Sequence, residues 1–189
     1  MDFLEMAKKR YSVRSFQPQK VEKEKLLKIL EAGRVAPTAA NKQPQQLIVV
    51  QEEEGLAKVK KAANIYGAPL AIIVCGDHNR VWKRSYDNKN TVDIDASIVT
   101  DHMMLQSTEL DLGSVWICAF RPDIIKAEFK LPDNLEPVNI LAIGYANTTP
   151  TSPSLQGTLP IKQDCNLCII KKALRRIKIS GGSSPLCMR

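Results

Sequence analysis

A chain of 189 residues, 44% hydrophobic and 25% charged, has the makeup of one compact domain, or two small ones at most. This balance excludes a disordered, collagen-like or membrane-spanning polypeptide, since the longest apolar stretch, Leu70 to Cys75, is far short of the roughly 20 residues of a transmembrane helix. The net charge of +7 is concentrated at one end: residues 155–189 carry seven basic side chains against Asp164 alone, whereas residues 1–154 balance 20 basic against 19 acidic residues. The basic isoelectric point is a property of the tail, and the neutral body gives no reason to read the whole chain as a nucleic-acid binder.

The segment from Met1 to Lys9 places acids where a secretory signal needs bases, and it has no apolar centre. A cytoplasmic location is therefore expected. Asp2 with Glu5 forms a capping pair for a first short helix ending at Lys9. Arg10 to Phe16 reads as extended and is closed by Pro18. Val21 to Val35 reads as a helix, with Leu26, Leu27, Ile29, Leu30 and Val35 on its apolar side and Lys23, Glu24, Lys25 and Lys28 toward water. Pro37 stops it, and a polar loop to Gln46 leads into a short buried strand, Leu47 to Val50. Glu52 to Ala63 is helical by composition and by its acid-first charge order. Leu70 to Cys75 is short, β-branched and bounded by Pro69 and Gly76, which marks a strand.

The longest helix is expected from Val92 to Leu110, with Ile94, Ile98, Met104 and Leu105 on its buried side and Gly113 ending it. Ser114 to Phe120 follows as a strand, Pro122 to Lys130 as a helix with proline at its start, and Ile140 to Tyr145 as the last strand. Helices and strands alternate without a regular βαβ repeat, so an α+β fold with a mixed sheet flanked by helices fits. Asn147 to Gly157, rich in Thr, Ser and Pro, reads as a long loop into the tail. Cys75 and Cys118 lie in apolar runs and read as buried thiols. Cys165 and Cys168 have zinc-ligand spacing, but the tail adds only Cys187 and no histidine, so no metal site is expected.

Three segments carry candidate chemistry. In an extended Arg10-Tyr11-Ser12-Val13-Arg14, residues two apart share a face. Two guanidinium forks and a hydroxyl then stand together and suit a phosphate. The loop from Ala36 to Pro44 offers short side chains and two amides, which suit close packing against a flat heteroaromatic with hydrogen-bonding edges. The strand around Trp116 presents backbone N–H groups to a ring, while the indole itself reads as core. The two histidines, His78 and His102, form no arrangement with a serine and an acid, and His102 reads as structural.

Taken in order, these segments give the chain a resemblance to the nitroreductase family of FMN-dependent oxidoreductases. The matching residues are Arg10-x-Ser12-x-Arg14-x-Phe16, Ala36-Pro37-Thr38-Ala39-x-Asn41-x-Gln43-Pro44, the helix with His102-Met103-Met104-Leu105, Leu112-Gly113-Ser114-Val115-Trp116-Ile117, and Leu141-Ala142-Ile143-Gly144-Tyr145. The resemblance covers about residues 1–150 and implies an intertwined homodimer with FMN at the subunit interface. It implies that Arg10, Tyr11, Ser12 and Arg14 hold the phosphate and ribityl end. Pro37, Thr38, Ala39, Asn41 and Gln43 would approach the ring and ribityl chain from the other subunit. Trp116, Ile117 and Cys118 would line the ring through main-chain contacts, and Asn64 would reach its edge. The reaction implied is ping-pong hydride transfer from NAD(P)H to FMN and then to a nitroaromatic, quinone or similar small acceptor, with no catalytic side chain required.

The division expected is an FMN-binding domain over residues 1–154 and a basic, atypical tail over 155–189. Ser152-Pro153-Ser154 still follows the family, whereas Leu155 to Leu159 departs from it where the family places a further cation for the phosphate. Lys162 is the candidate substitute. Two other readings remain: a different flavin reaction on the same fold, such as reductive dehalogenation, and a module whose basic tail contacts nucleic acid.

Overall fold

The computed structural model describes residues 2–147; the expectations for the loop beyond Asn147 and for residues 155–189 lie outside them. A four-stranded antiparallel sheet forms the middle layer, in the order β1 (Gln45–Val50), β2 (Leu70–Asp77), β4 (Leu135–Gly144), β3 (Gly113–Ile117). Every named pair is antiparallel. The sheet is mixed only through an isolated parallel bridge between Ser12 and Ser114 on the outer side of β3.

Helices cover both faces. On one, α2 (Lys23–Val35) and α4 (Val92–Glu109) pack Ile29, Val99 and Met103 against Leu70, Ile72, Leu141 and Ile143. On the other, α3 (Glu53–Ala62) and α5 (Pro122–Phe129) pack Val59 and Ile125 against Ala71, Ile73, Ile140 and Ala142. Alternate residues of β2 and β4 thus feed two different cores. For this reason Leu70 to Cys75 is apolar throughout instead of alternating, and all of β2 is buried. Two glycines allow close approach. A Cβ on Gly33 of α2 would stand 2.9 Å from Met103 Cγ, and one on Gly76 of β2 would stand 2.0 Å from Val92 Cγ2, so α4 sits tightly on both elements.

Several expectations are corrected. Leu27 and Val35 are exposed, as is Ile94 of α4. The buried side of α4 runs through Val92, Ala96, Val99, Met103 and Met104, the last as expected, and also takes in Asp95, Thr100, Ser107 and Thr108. Thr100, Ser107 and Thr108 return their hydroxyls to the carbonyls of Ala96, Met103 and Met104, which lets a helix bury polar residues without orphaned groups. Hydropathy therefore missed the polar members of the inner face and misjudged Ile94. Gly113 does not end α4. The helix closes at Leu110, Asp111 takes a left-handed φ of 58°, and Gly113 opens β3 with Val13 packed over it. The last strand begins at Leu135 and takes in Pro137, which is accommodated where the register shifts between Val74 and Cys75. The first helix, α1 (Phe3–Lys9), is capped as expected, with Asp2 accepting from the Glu5 amide.

Candidate functional site

The chain leaves α1 in an extended conformation: Arg10 has φ −63° and ψ 129°. Ser12 then pairs with Ser114, and the Val13 N–H donates to the Ser114 carbonyl at 3.0 Å. Val13 is buried in the core on the α3/α5 side, with Tyr11 packed against the same cluster; burial raises the Tyr11 phenol above its ordinary pKa. Alternation along the extended backbone turns Arg10, Ser12 and Arg14 away from that core. Arg34, Arg84 and Arg121 each fork onto a neighbouring carboxylate. Among the described residues, Arg10 and Arg14 do not. Arg14 is exposed, and the half-buried Arg10 directs a guanidinium nitrogen toward Met104 Sδ of α4 at 4.0 Å. Two unpaired guanidinium groups and a hydroxyl, with no carboxylate paired to them, are a donor-only set that fits a phosphate dianion.

The second segment is a tight turn. Ala39–Asn41 forms one 3-10 turn, and Ala40, Asn41 and Gln43 all take left-handed φ values of 50°, 51° and 47°. These are costly for L-residues and gather at ligand-contacting sites. The Gln43 amide donates to Thr38 Oγ1 at 3.0 Å and the Ala39 amide to Asp95 Oδ1 at 2.8 Å. Thr38 and Ala39 are half-buried, while Pro37 and the Asn41 and Gln43 side chains are exposed. Short backbone and free carboxamides suit the polar edge of a flat ring.

On β3, Ile117 points into the α3/α5 core and Trp116 packs on the α2/α4 side. The two face opposite ways, so only main-chain groups of this strand can serve one ligand together. The Trp116 Nε1 and the Ser114 Oγ are buried without a hydrogen-bond partner. Cys118 is exposed, contrary to the buried thiol expected, because β3 ends at Ile117. Asn64 is also exposed; it follows α3, on the far face of the sheet from α4, and its Oδ1 accepts from the Tyr66 amide at 2.8 Å. His102 is tied to its own helix through the Ile98 carbonyl.

Arg10 and the turn both lean on α4, through Met104 and Asp95 respectively. Nine residues of helix separate these anchors, about 13 Å at 1.5 Å per residue. Among the described residues no hydrogen bond joins Arg10, Ser12 or Arg14 to residues 37–43. Asp95 is the residue that sequence reasoning missed. Nothing in the sequence reading singles it out; the signal it carries there is Thr91 four residues earlier, whose hydroxyl donates to Asp95 Oδ2 at 2.8 Å. A cavity of about 250 Å³ lies beside Arg10 and Tyr11, bounded also by Lys9, Gln17, Thr108 and Tyr145. A larger, mostly apolar groove of about 790 Å³ lies away from the arginines, between α1, α2 and α4.

The model of the nitroreductase family matches residues 7–65 and 56–145. A crystal structure of a nitroreductase family protein from Clostridium difficile is 61% identical and superposes with a TM-score of 0.82, over 85% of this chain and 95% of that one. A second Clostridium difficile structure, described as an FMN-dependent nitroreductase, is 30% identical with a TM-score of 0.68, over 79% of this chain and 91% of that one. A Methanothermobacter thermautotrophicus protein, named for NADH dehydrogenase and NAD(P)H nitroreductase, is 31% identical over 82% of this chain and 83% of its own length.

Proposed function

The chain belongs to the nitroreductase family, and from that premise we propose that it passes electrons from NAD(P)H, by way of bound FMN, to a small oxidised acceptor. The protein is an NAD(P)H-dependent oxidoreductase with FMN as its cofactor, as the names of its relatives indicate. One observation carries the reading: Arg10 and Arg14 stand with Ser12 on an extended segment, and neither has a carboxylate partner among the described residues.

Arg10, Ser12 and Arg14 hold the phosphate, and Tyr11 fixes the segment between them by packing inward. Pro37, Thr38, Ala39, Asn41 and Gln43 present backbone and carboxamide groups to the ring and ribityl chain. Trp116, Ile117 and Cys118 contribute main-chain groups, and Asn64 reaches the ring edge. Bound there, FMN supplies the redox chemistry, a hydride from NAD(P)H and then electrons for a nitroaromatic or quinone, with the two substrates taking turns. The chain's own work is to bind and orient, and no side-chain nucleophile or proton donor is assigned.

The complete site, in this proposal, draws the arginines from one subunit and the turn from its partner, as the family resemblance implies. Phe3, Leu27 and Val35, exposed by 67%, 55% and 59%, line the apolar groove between α1, α2 and α4, an apolar face of the kind that a second copy would cover. We retain residues 1–154 as the FMN-binding unit and a cytoplasmic location as parts of this proposal. Among the described residues no helix is long and apolar enough to cross a membrane.

The test is spectroscopic. Purified protein reconstituted with FMN shows flavin absorbance, loses it on addition of NADH or NADPH under nitrogen, and regains it when a quinone is added. Protein that takes up no FMN, or holds FMN that neither nicotinamide bleaches, overturns the reading.

A further inference from the structure

We propose that Asp95 is a positioning residue, whose buried carboxylate holds the turn from Thr38 to Gln43 in the shape that receives FMN; the proposal rests on the functional reading above. Three of the four residues from Ala40 to Gln43 are L-residues in the left-handed region. Such a backbone persists only where its surroundings over-determine it. Two side chains do so here. Thr38 closes the turn from within by accepting the Gln43 amide. Asp95 acts from outside, from the first turn of α4, accepting the Ala39 amide, which as the first N–H of a 3-10 turn has no partner within it.

The carboxylate is itself fixed. Asp95 is 1% exposed, and its second oxygen accepts the Thr91 hydroxyl. Thr91 is held in turn, its amide donating to the Trp82 carbonyl at 3.2 Å and its hydroxyl lying 3.4 Å from the same oxygen. Burying a carboxylate is expensive, and an apolar residue of similar volume commonly serves stability as well or better. A helix N-terminus can be capped at its surface without burying an acid. Among the described residues, the Ala39 amide is the contact by which the Asp95 carboxylate reaches a segment of chain beyond α4 and its N-cap.

The experiment titrates FMN into apo-protein and follows quenching of flavin fluorescence, with a thermal melt of each variant. Asp95→Ala raises the FMN Kd about tenfold or more, the scale of one hydrogen bond to a charged group. Asp95→Asn, which keeps an acceptor for the Ala39 amide, restores Kd to within about threefold of wild type. Thr91→Val, a milder change that frees the carboxylate to reorient, raises Kd about threefold and serves if Asp95→Ala does not fold. Thr100→Val, on the same helix as Asp95, removes the buried hydrogen bond from Thr100 Oγ1 to Asn139 Oδ1 of β4; it lowers the melting temperature and leaves Kd unchanged. The assignment is overturned if the Asp95 and Thr91 variants bind FMN like wild type, if Asp95→Asn is as impaired as Asp95→Ala, or if Thr100→Val weakens FMN equally. Wild-type protein that does not quench FMN overturns the functional reading first, and this inference with it.

Discussion

Ala40 stands at φ 50°, ψ 26°, a conformation that costs an L-residue about 1 kcal/mol or more and costs glycine nothing. Ala40→Gly is therefore expected to stabilise the apo-protein by about 0.5–1 kcal/mol once glycine's larger unfolded entropy is set against the relieved strain. A chemical-denaturation midpoint that rises with an unchanged slope checks this. An unchanged or lower midpoint contradicts the left-handed assignment. No residue type in Ala36 to Pro44 announced that geometry, because alanine, asparagine and glutamine occupy positions where a turn motif would show glycine. Cysteine shows a similar limit. Cys75 reads correctly from its apolar run, and burial pushes its thiol up to about 12. Cys118 has equally apolar neighbours yet lies outside the sheet, since strand length and not hydropathy decided its exposure.

Elements were legible where both faces of a strand or one stripe of a helix carried a consistent pattern. β2, α2 and α3 fall close to their expected spans for that reason. α4 is correct in extent and in placing Met104 and Ile98 on the core side, but not Ile94, because Thr100, Ser107 and Thr108 satisfy their hydroxyls on helix carbonyls and so bury where Ile94 does not. The beginning of β4 was hidden by Pro137, which only a bulge in the partner register could admit. Asp77, at the end of β2, ties three elements together. Its amide donates to the Pro44 carbonyl, and its carboxylate accepts from Asn134 Nδ2 and the Asn79 amide. The Asn134 bond first, then the Asn79 amide, holds its pKa below the ordinary 3.8. A depressed native pKa contributes stability that is complete above the unfolded value and is lost as the pH falls through the native one. Unfolding free energy measured from about pH 5 to about pH 3 should therefore fall less steeply in Asp77→Asn than in wild type. Equal slopes contradict the assignment.

At the scale of the whole molecule, the Arg10 contact and the 38–43 turn meet α4 nine residues apart, at Met104 and Asp95, and an apolar groove lies between α1, α2 and α4. The five motifs made the family legible, and with it the expectation that the two halves of the site come from different subunits; that Arg10 and the 38–43 turn both lean on α4 was not legible, because it depends on how the chain packs in three dimensions. If a second copy fills the groove, Leu27→Asp places a charge in the interface, at a cost of several kcal/mol when unpaired. Sedimentation should show a dimer for wild type and a monomer for Leu27→Asp, with FMN affinity lost in parallel. A wild-type monomer, or a Leu27→Asp variant that stays dimeric and retains FMN, contradicts the arrangement.

The anionic end of the cofactor offers the most direct test of all. FMN and riboflavin share the ring and ribityl chain and differ only by the phosphate, so their affinities for the same apo-protein isolate what Arg10, Ser12 and Arg14 contribute. Charge-assisted hydrogen bonds worth about 1.5–3 kcal/mol predict that FMN binds roughly 10- to 150-fold more tightly than riboflavin, and that Arg14→Ala removes much of the difference. Equal affinities for the two flavins, or a difference that Arg14→Ala leaves intact, would contradict it.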